Sequence, residues 1–262
     1  MSRERILPYA LPVLVAVLVL GGWEWAVRYF EVSRFVLPPP SAITADLIAE
    51  LPSLASSSFV TIRITIIAFL LALILGVALA VAFAQSRTLE QALFPYAVTL
   101  QVTPIVSIAP LILIWVGIDN AERAVLILAT IVAFFPILAN TTLGLRSADR
   151  QLHELFDLYG ATRLQRLLRL QFPAALPFLL AGMKIAGGLA LVGTVVAEFA
   201  AGSGGTTGLA WLIIEAGYRL HIAKMFAALV LLAAFGTTIY ALLSLLEWHV
   251  LKDWHESVRP KE

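Results

Sequence analysis

Two ionisable residues, Lys184 and Glu198, stand inside one long apolar run. Fourteen residues apart at about 100° per residue, they differ by about 40° around a helix and so share a face. A lysine near the centre of a bilayer costs about 2.5–3.5 kcal/mol on insertion scales, which demands a cavity or a partner carboxylate. Two readings follow. Either Lys184 draws an anionic solute along a pathway with Glu198 near its outer gate, or both serve structural ion pairs and hydrogen bonds between helices. Gln101, Thr103, Ser107, Asn140, Thr141 and Thr142 are candidates to line the same pathway. Interhelical hydrogen bonds, worth less than about 2 kcal/mol each, explain them equally well.

Enzymatic chemistry finds little to work with. The chain has no cysteine, and His153, His221, His249 and His255 form no ligand spacing. No nucleophile–base pair or metal cluster stands within the apolar runs. The run Gly202-Ser203-Gly204-Gly205-Thr206-Thr207-Gly208 lacks the lysine of a phosphate cradle and reads as a flexible outer loop.

The densest polar feature is the 27-residue stretch from Arg146 to Phe172, which carries five arginines. Within it Leu152, Leu155, Phe156 and Tyr159 recur at i, i+3, i+4 and i+7, the apolar stripe of a helix. Gly160 can take the left-handed conformation that stops that helix. About two turns of helix cannot stand alone in water, so this face needs a partner cleft. Beyond it, Leu164, Leu167 and Leu168 oppose Arg163, Arg166 and Arg169, a second amphipathic segment suited to the inner leaflet with arginines toward phosphates. Pro173 and Pro177 then open the next span, where a missing N–H costs little.

The elements that carry these residues follow from composition. Of 262 residues, 60% are hydrophobic and 13% charged, with a mean hydropathy of +0.92. Apolar runs near 20 residues suit about 30 Å of hydrocarbon, and lipid leaves helices as the fold for runs without alternation. The expectation is an all-α polytopic membrane protein, a single transmembrane domain over 1–262. Six spans are predicted, at roughly 7–30, 59–84, 92–117, 122–145, 174–199 and 222–248. The first is a retained span rather than a signal peptide, because its apolar run is too long and no small-x-small site follows. The core covers about 56–248, and the loop 146–172 interrupts it. With the N-terminus inside, eleven Lys and Arg fall in inner segments against four in outer ones, so both termini are predicted cytoplasmic.

Between the first two spans, Leu37-Pro38-Pro39-Pro40-Ser41 reads as an extended segment ending in an N-cap serine. It leads into an outer interfacial helix with Ile43, Leu47 and Leu51 on one side. Pro104, Pro110 and Pro136 fall within spans, which is tolerated where backbone is buried in protein or lines a cavity. Arg63 is expected to snorkel. Asp119, Asn120, Glu122 and Arg123 form an outer turn. A net charge of +1 argues against a nucleic-acid partner.

The loop carries a family resemblance. Glu154-Leu155-Phe156, then Gly160 after three residues, then Leu170-x-Phe172-Pro173 after nine more, resembles the coupling loop of permease subunits of bacterial type I ABC importers. In that pattern Glu-Ala-Ala and Gly precede Ile-x-Leu-Pro at the same spacings. Leu155 and Phe156 replace the two alanines, keeping the face apolar and making it bulkier. Leu37-Pro38-x-Pro40-Ser41, Ala109 to Ile118, Phe134-Phe135-Pro136-Ile137, Pro173 to Pro177 and Val195 to Phe199 are similar to the nitrate/sulfonate/taurine/bicarbonate-type subgroup.

The resemblance implies an inner-membrane subunit that translocates a small anionic or heterocyclic solute and is not itself an enzyme. It implies a cytoplasmic ATPase dimer that holds the ATP and Mg, leaving this chain without a cofactor. It implies a periplasmic or lipid-anchored binding protein and a second permease subunit, either a second copy, which is favoured, or a similar permease. On this reading Leu152, Glu154, Leu155, Phe156, Asp157, Tyr159, Gly160 and Arg163 contact the ATPase. The competing reading is a carrier or channel driven by an ion gradient, with the loop regulatory.

Overall fold

The computed structural model describes residues 3–201 and 207–252, with side chains described from residue 10 and omitted at 118. Most of the Gly202–Gly208 run, read as an outer loop, and His255 lie outside the described residues. Every regular element among the described residues is helical. Among the described residues five helices are long and apolar enough to cross a membrane, and counting one bent pair as a single span brings the number to six. The all-α, six-span architecture is therefore the one composition predicted.

Helix α1 (Arg3–Tyr29) leads through the proline segment into α2 (Pro40–Ala49) and the long α3 (Leu51–Gln85). Ser41 is not the N-cap of α2. Pro39 holds that position and Pro40 opens the helix, where a proline needs no N–H partner. Ser41 instead donates its backbone N–H to Glu24 Oε2 (3.0 Å) and its hydroxyl to Glu24 Oε1 (2.8 Å), clamping α2 onto α1. The second span begins at Leu51, earlier than hydropathy alone placed it.

The third span is broken. Helices α4 (Arg87–Val102) and α5 (Ile105–Val116) meet at 102°. Pro104 supplies the reason: it lacks an N–H and drives the preceding residue out of the helical region, and Thr103 sits at φ −71°, ψ 124°. Helix α6 (Ala121–Leu145) follows a short 3-10 turn, and Arg63 pairs with its Glu122 rather than snorkelling.

A second correction concerns the fifth span. Helix α7 (Arg150–Leu158) is followed by α8 (Arg163–Arg166), a π-helical turn Leu167–Gln171 and α9 (Phe172–Ala201). These last three form one run over Arg163–Ala201, so the arginine segment is continuous with the helix of the span rather than a separate one. Pro173 and Pro177 lie inside it. The widened turn before Pro173 makes room for a ring that would otherwise strike the carbonyl four residues back. The chain closes with α10 (Leu209–Tyr218), absent from the sequence expectation, and α11 (Ile222–Leu251).

Helices α3, α6 and α9 form the centre, and small residues set their spacing. A Cβ on Gly144 would lie 2.8 Å from Ala175 Cα, one on Gly182 2.9 Å from Asn140 Cβ, and one on Gly193 3.1 Å from Ala129 Cα. The order of these pairs makes α6 and α9 antiparallel, with backbones in near contact along their length. Gly76 of α3 meets Ile137 of α6 in the same way. Lys224 Nζ of α11 donates to Glu50 Oε2 (2.7 Å), tying the α2–α3 corner to α11. That hydrogen bond, then the lysine charge, holds the Glu50 carboxyl below its ordinary range against the opposing effect of desolvation.

A matched pair of substitutions tests the close approach. Gly144→Ala forces backbone apart and is expected to cost about 1–3 kcal/mol of stability. Gly188→Ala, on α9 with open space at its Cβ, is expected to change little. Unfolding midpoints in detergent measure both, and equal effects would refute this account of α6–α9 packing.

Candidate functional site

Helix α7 is built as an isolated, rigid knob. Asp149 Oδ1 accepts the Gln151 N–H (2.9 Å) and caps its start. At its end Gly160 has φ +63°, the Ala161 N–H donates to Phe156 O (2.9 Å) and the Gly160 N–H to Asp157 O (3.0 Å). This is the double bond of a Schellman stop, a conformation that costs a residue with a Cβ about 1–2 kcal/mol. Thr162 and Gln165 then form a reciprocal capping box that starts α8: the Thr162 N–H donates to Gln165 Oε1 (2.8 Å) and the Gln165 N–H to Thr162 Oγ1 (3.2 Å). Asp157 pairs with Arg166 across the turn, so α7 is bolted to the run that enters α9.

No residue of α7 is buried. Leu152 and Leu155 remain 45% and 44% exposed, Leu158 and Tyr159 85% and 84%. Phe156 is half-buried. Glu154 accepts from Arg150 Nε one turn back (3.0 Å) and is otherwise open, as is Arg163. Arg146 pairs with Glu90 of α4, and Ser147 donates its hydroxyl to Gly144 O (2.8 Å), so the loop's first residues are held to the bundle. All eight residues singled out on this loop thus lie on or beside one projecting element. The sequence reading did not single out Asp149 and Gln165, which hold it, and turned Arg166 toward phosphates where the structure pairs it with Asp157. Thr162-x-x-Gln165 is a legible capping signature, whereas the Asp157–Arg166 pair depends on the geometry of the turn.

The polar candidates of the spans do not gather. Gln101 and Thr103 line a cleft of ≈ 170 Å³ at the break between α4 and α5, closed by Ile105, Ile108, Val132 and Leu189. Thr103 donates its hydroxyl to Thr99 O (2.7 Å). Ser107 is exposed on α5. Asn140 turns back on its own helix and donates to Pro136 O (2.8 Å).

Lys184 and Glu198 do not act together. Lys184 pairs with Glu247 of α11, each side chain 22% exposed. Glu198 meets Thr61 of α3 and the start of α10. Sharing a helical face put the two charges on one side, but about 21 Å of axial rise separates them at 1.5 Å per residue. Glu247 went unnoticed in the sequence although a carboxylate within an apolar run asks for a cation.

Residues 72–252 match the family described as binding-protein-dependent transport system inner membrane component. The riboflavin transport system permease protein RibX of Chloroflexus aurantiacus is 39% identical over 249 residues, covering 94% of this chain and 90% of its own. The putative aliphatic sulfonates transport permease protein SsuC of Escherichia coli is 32% identical, covering 98% of this chain and 95% of its own. Among solved structures, an amino acid ABC transporter with histidines matches with a TM-score of 0.63 at 18% identity, over 78% of this chain and 97% of that one. That last likeness speaks for the fold.

The Lys184–Glu247 pair generates a test of its structural role. Lys184→Met leaves a carboxylate without its cation in an apolar setting, a loss of up to about 3–5 kcal/mol when such a pair is fully buried and less at this exposure. The double variant Lys184→Met/Glu247→Gln is expected to recover most of the folded yield, measured by size-exclusion chromatography in detergent. A double variant no better than the single one would show that the pair is not what Lys184 serves.

Proposed function

We infer that this chain, which belongs to the family of binding-protein-dependent transport system inner membrane components, is the ATP-driven, solute-translocating subunit of an importer. It works with a cytoplasmic ATPase dimer, a periplasmic or lipid-anchored binding protein and a second copy of itself. Both termini and α7 face the cytoplasm in this reading, and ATP and Mg are held by the ATPase alone. The solute is small and anionic or heterocyclic, a range spanned by the sulfonate and riboflavin named for SsuC and RibX.

One observation carries the reading: an apolar helix face that the described residues leave largely open, on an element capped at both ends. Leu152, Leu155, Phe156 and Tyr159 enter a cleft of the ATPase, with Glu154, Asp157 and Arg163 at its rim. When nucleotide closes the ATPases, α7 moves as a lever. The Asp157–Arg166 pair and the Gly160 stop pass the displacement into the Arg163–Ala201 run, and the close packing of α9 on α6 shifts the centre of the bundle. Gln101 and Thr103, at the broken third span, lie beside the resulting pathway. Contact by itself does no work here; nucleotide states must prefer different permease conformations.

Two substitutions on α7 probe the lever. Glu154→Lys reverses charge at the rim, and Gly160→Pro holds φ near about −65° and so cannot make the stop. Each is expected to leave membrane insertion intact and to abolish either co-purification with the ATPase or the coupling of hydrolysis to uptake. Normal import by both variants would overturn the assignment of α7. Accumulation of solute by the chain alone in liposomes under a proton or sodium gradient would support the rival carrier instead.

A further inference from the structure

Glu198 is the only charged side chain among the described residues that is buried, and its exposure is 0%. It sits one turn before the end of α9. Thr61 of α3 donates its hydroxyl to Glu198 Oε1 (2.9 Å), and the Ala210 N–H of α10 donates to Oε2 (3.0 Å). Thr61 Oγ1 in turn accepts the Leu209 N–H (2.9 Å), so its proton and one lone pair are both committed. The first two N–H groups of α10 are thereby satisfied by side chains borrowed from two other helices.

The N-cap position of α10 explains the borrowing. Gly208 stands there and has no side chain to make a cap. A Cβ on it would lie 2.1 Å from Glu198 Oε1, so the carboxylate occupies the space a capping side chain would need. A carboxylate at a helix N-terminus is also favoured by the helix dipole. The apolar side of α10 completes the junction: Leu209, Leu212 and Ile213 pack with Ile43 of α2, Leu54 of α3, and Ala227 and Ala228 of α11. Helix α10 thus joins four other helices at the end of the bundle opposite α7.

We propose that Glu198 is a positioning residue of the transport cycle, a latch that fixes α10 to α9 and α3. This rests on the reading of α7 as the driven element: α9 then carries motion from α7 at one end to α10 at the other. The latch holds because separation is penalised on both sides. Drawing α10 away strips the carboxylate of a donor in an apolar setting and leaves two helix N–H groups bare. With no exposed surface, Glu198 offers nothing to a passing solute.

The chain has no cysteine, so spin labels on Ala55→Cys of α3 and Tyr218→Cys of α10, both exposed, report the α3–α10 distance in the assembled, reconstituted transporter. A narrow distribution is expected in the parent. Glu198→Ala is expected to broaden it and to lower the maximal uptake rate about ten-fold, with the half-saturating solute concentration and ATPase association unchanged. Glu198→Gln, which keeps one acceptor oxygen, is expected to restore part of both.

Gly208→Ala keeps the carboxylate but thrusts a methyl into it, and is expected to reproduce the broadening. The double variant Glu198→Ala/Gly208→Ala is expected to be no worse than Glu198→Ala, because the first change makes room for the second. If Glu198→Ala fails to fold, Gly208→Ala and the near-isosteric Thr61→Val carry the same expectation. Unchanged distances in these variants, or a changed half-saturation without broadening, would overturn the latch. Failure of the ATP-driven reading shows differently, as uptake without the ATPase.

Discussion

Hydrocarbon offers no hydrogen bonds, so every polar group carried into it must be met by another part of the protein. That demand orders most of what is distinctive in this chain. Glu198 is met by a hydroxyl of α3 and an N–H of α10. Lys184 is met by Glu247. Thr65 and Thr194 return their hydroxyls to backbone carbonyls one turn earlier, Thr61 O and Ala190 O. The Glu198 and Lys184 pairings also choose which helices stand side by side, so the cost of burying polarity becomes a rule for assembly.

The same demand explains where the backbone is allowed to break. Pro104 opens the third span by 102° at a place where the two halves rest on α6 and α9. Pro173 is absorbed by a π turn whose Leu167 and Leu170 are buried against the bundle. Close glycine contacts along α6 and α9 supply the counterpart, a rigid centre against which broken elements can be positioned.

Two ends of one helical run then acquire different duties. At its start, the Asp157–Arg166 pair and the Gly160 stop hold α7 clear of the bundle with its apolar face open. At its finish, Glu198 ties α10 to α9 and α3. An open face suits exchange with a partner, while a satisfied buried network suits transmission without slack.

Much of this was legible in the residues themselves. Hydropathy fixes the number of spans because crossing length and backbone satisfaction are local requirements, and the 3.6-residue period of Leu152, Leu155, Phe156 and Tyr159 marks α7 for the same reason. The left-handed stop at Gly160 is likewise local, since only a residue without Cβ adopts it freely. What tertiary structure alone decided are the partners: Glu247 for Lys184, Glu122 for Arg63, Glu24 for Ser41, and α10 for Glu198. A helical face is determined by sequence position, but two residues on that face can lie several turns apart, and the partner each finds depends on how neighbouring helices cross. Helix α10 escaped notice because ten residues are too few to announce a span, and its stability comes from packing and borrowed caps rather than from its own propensity.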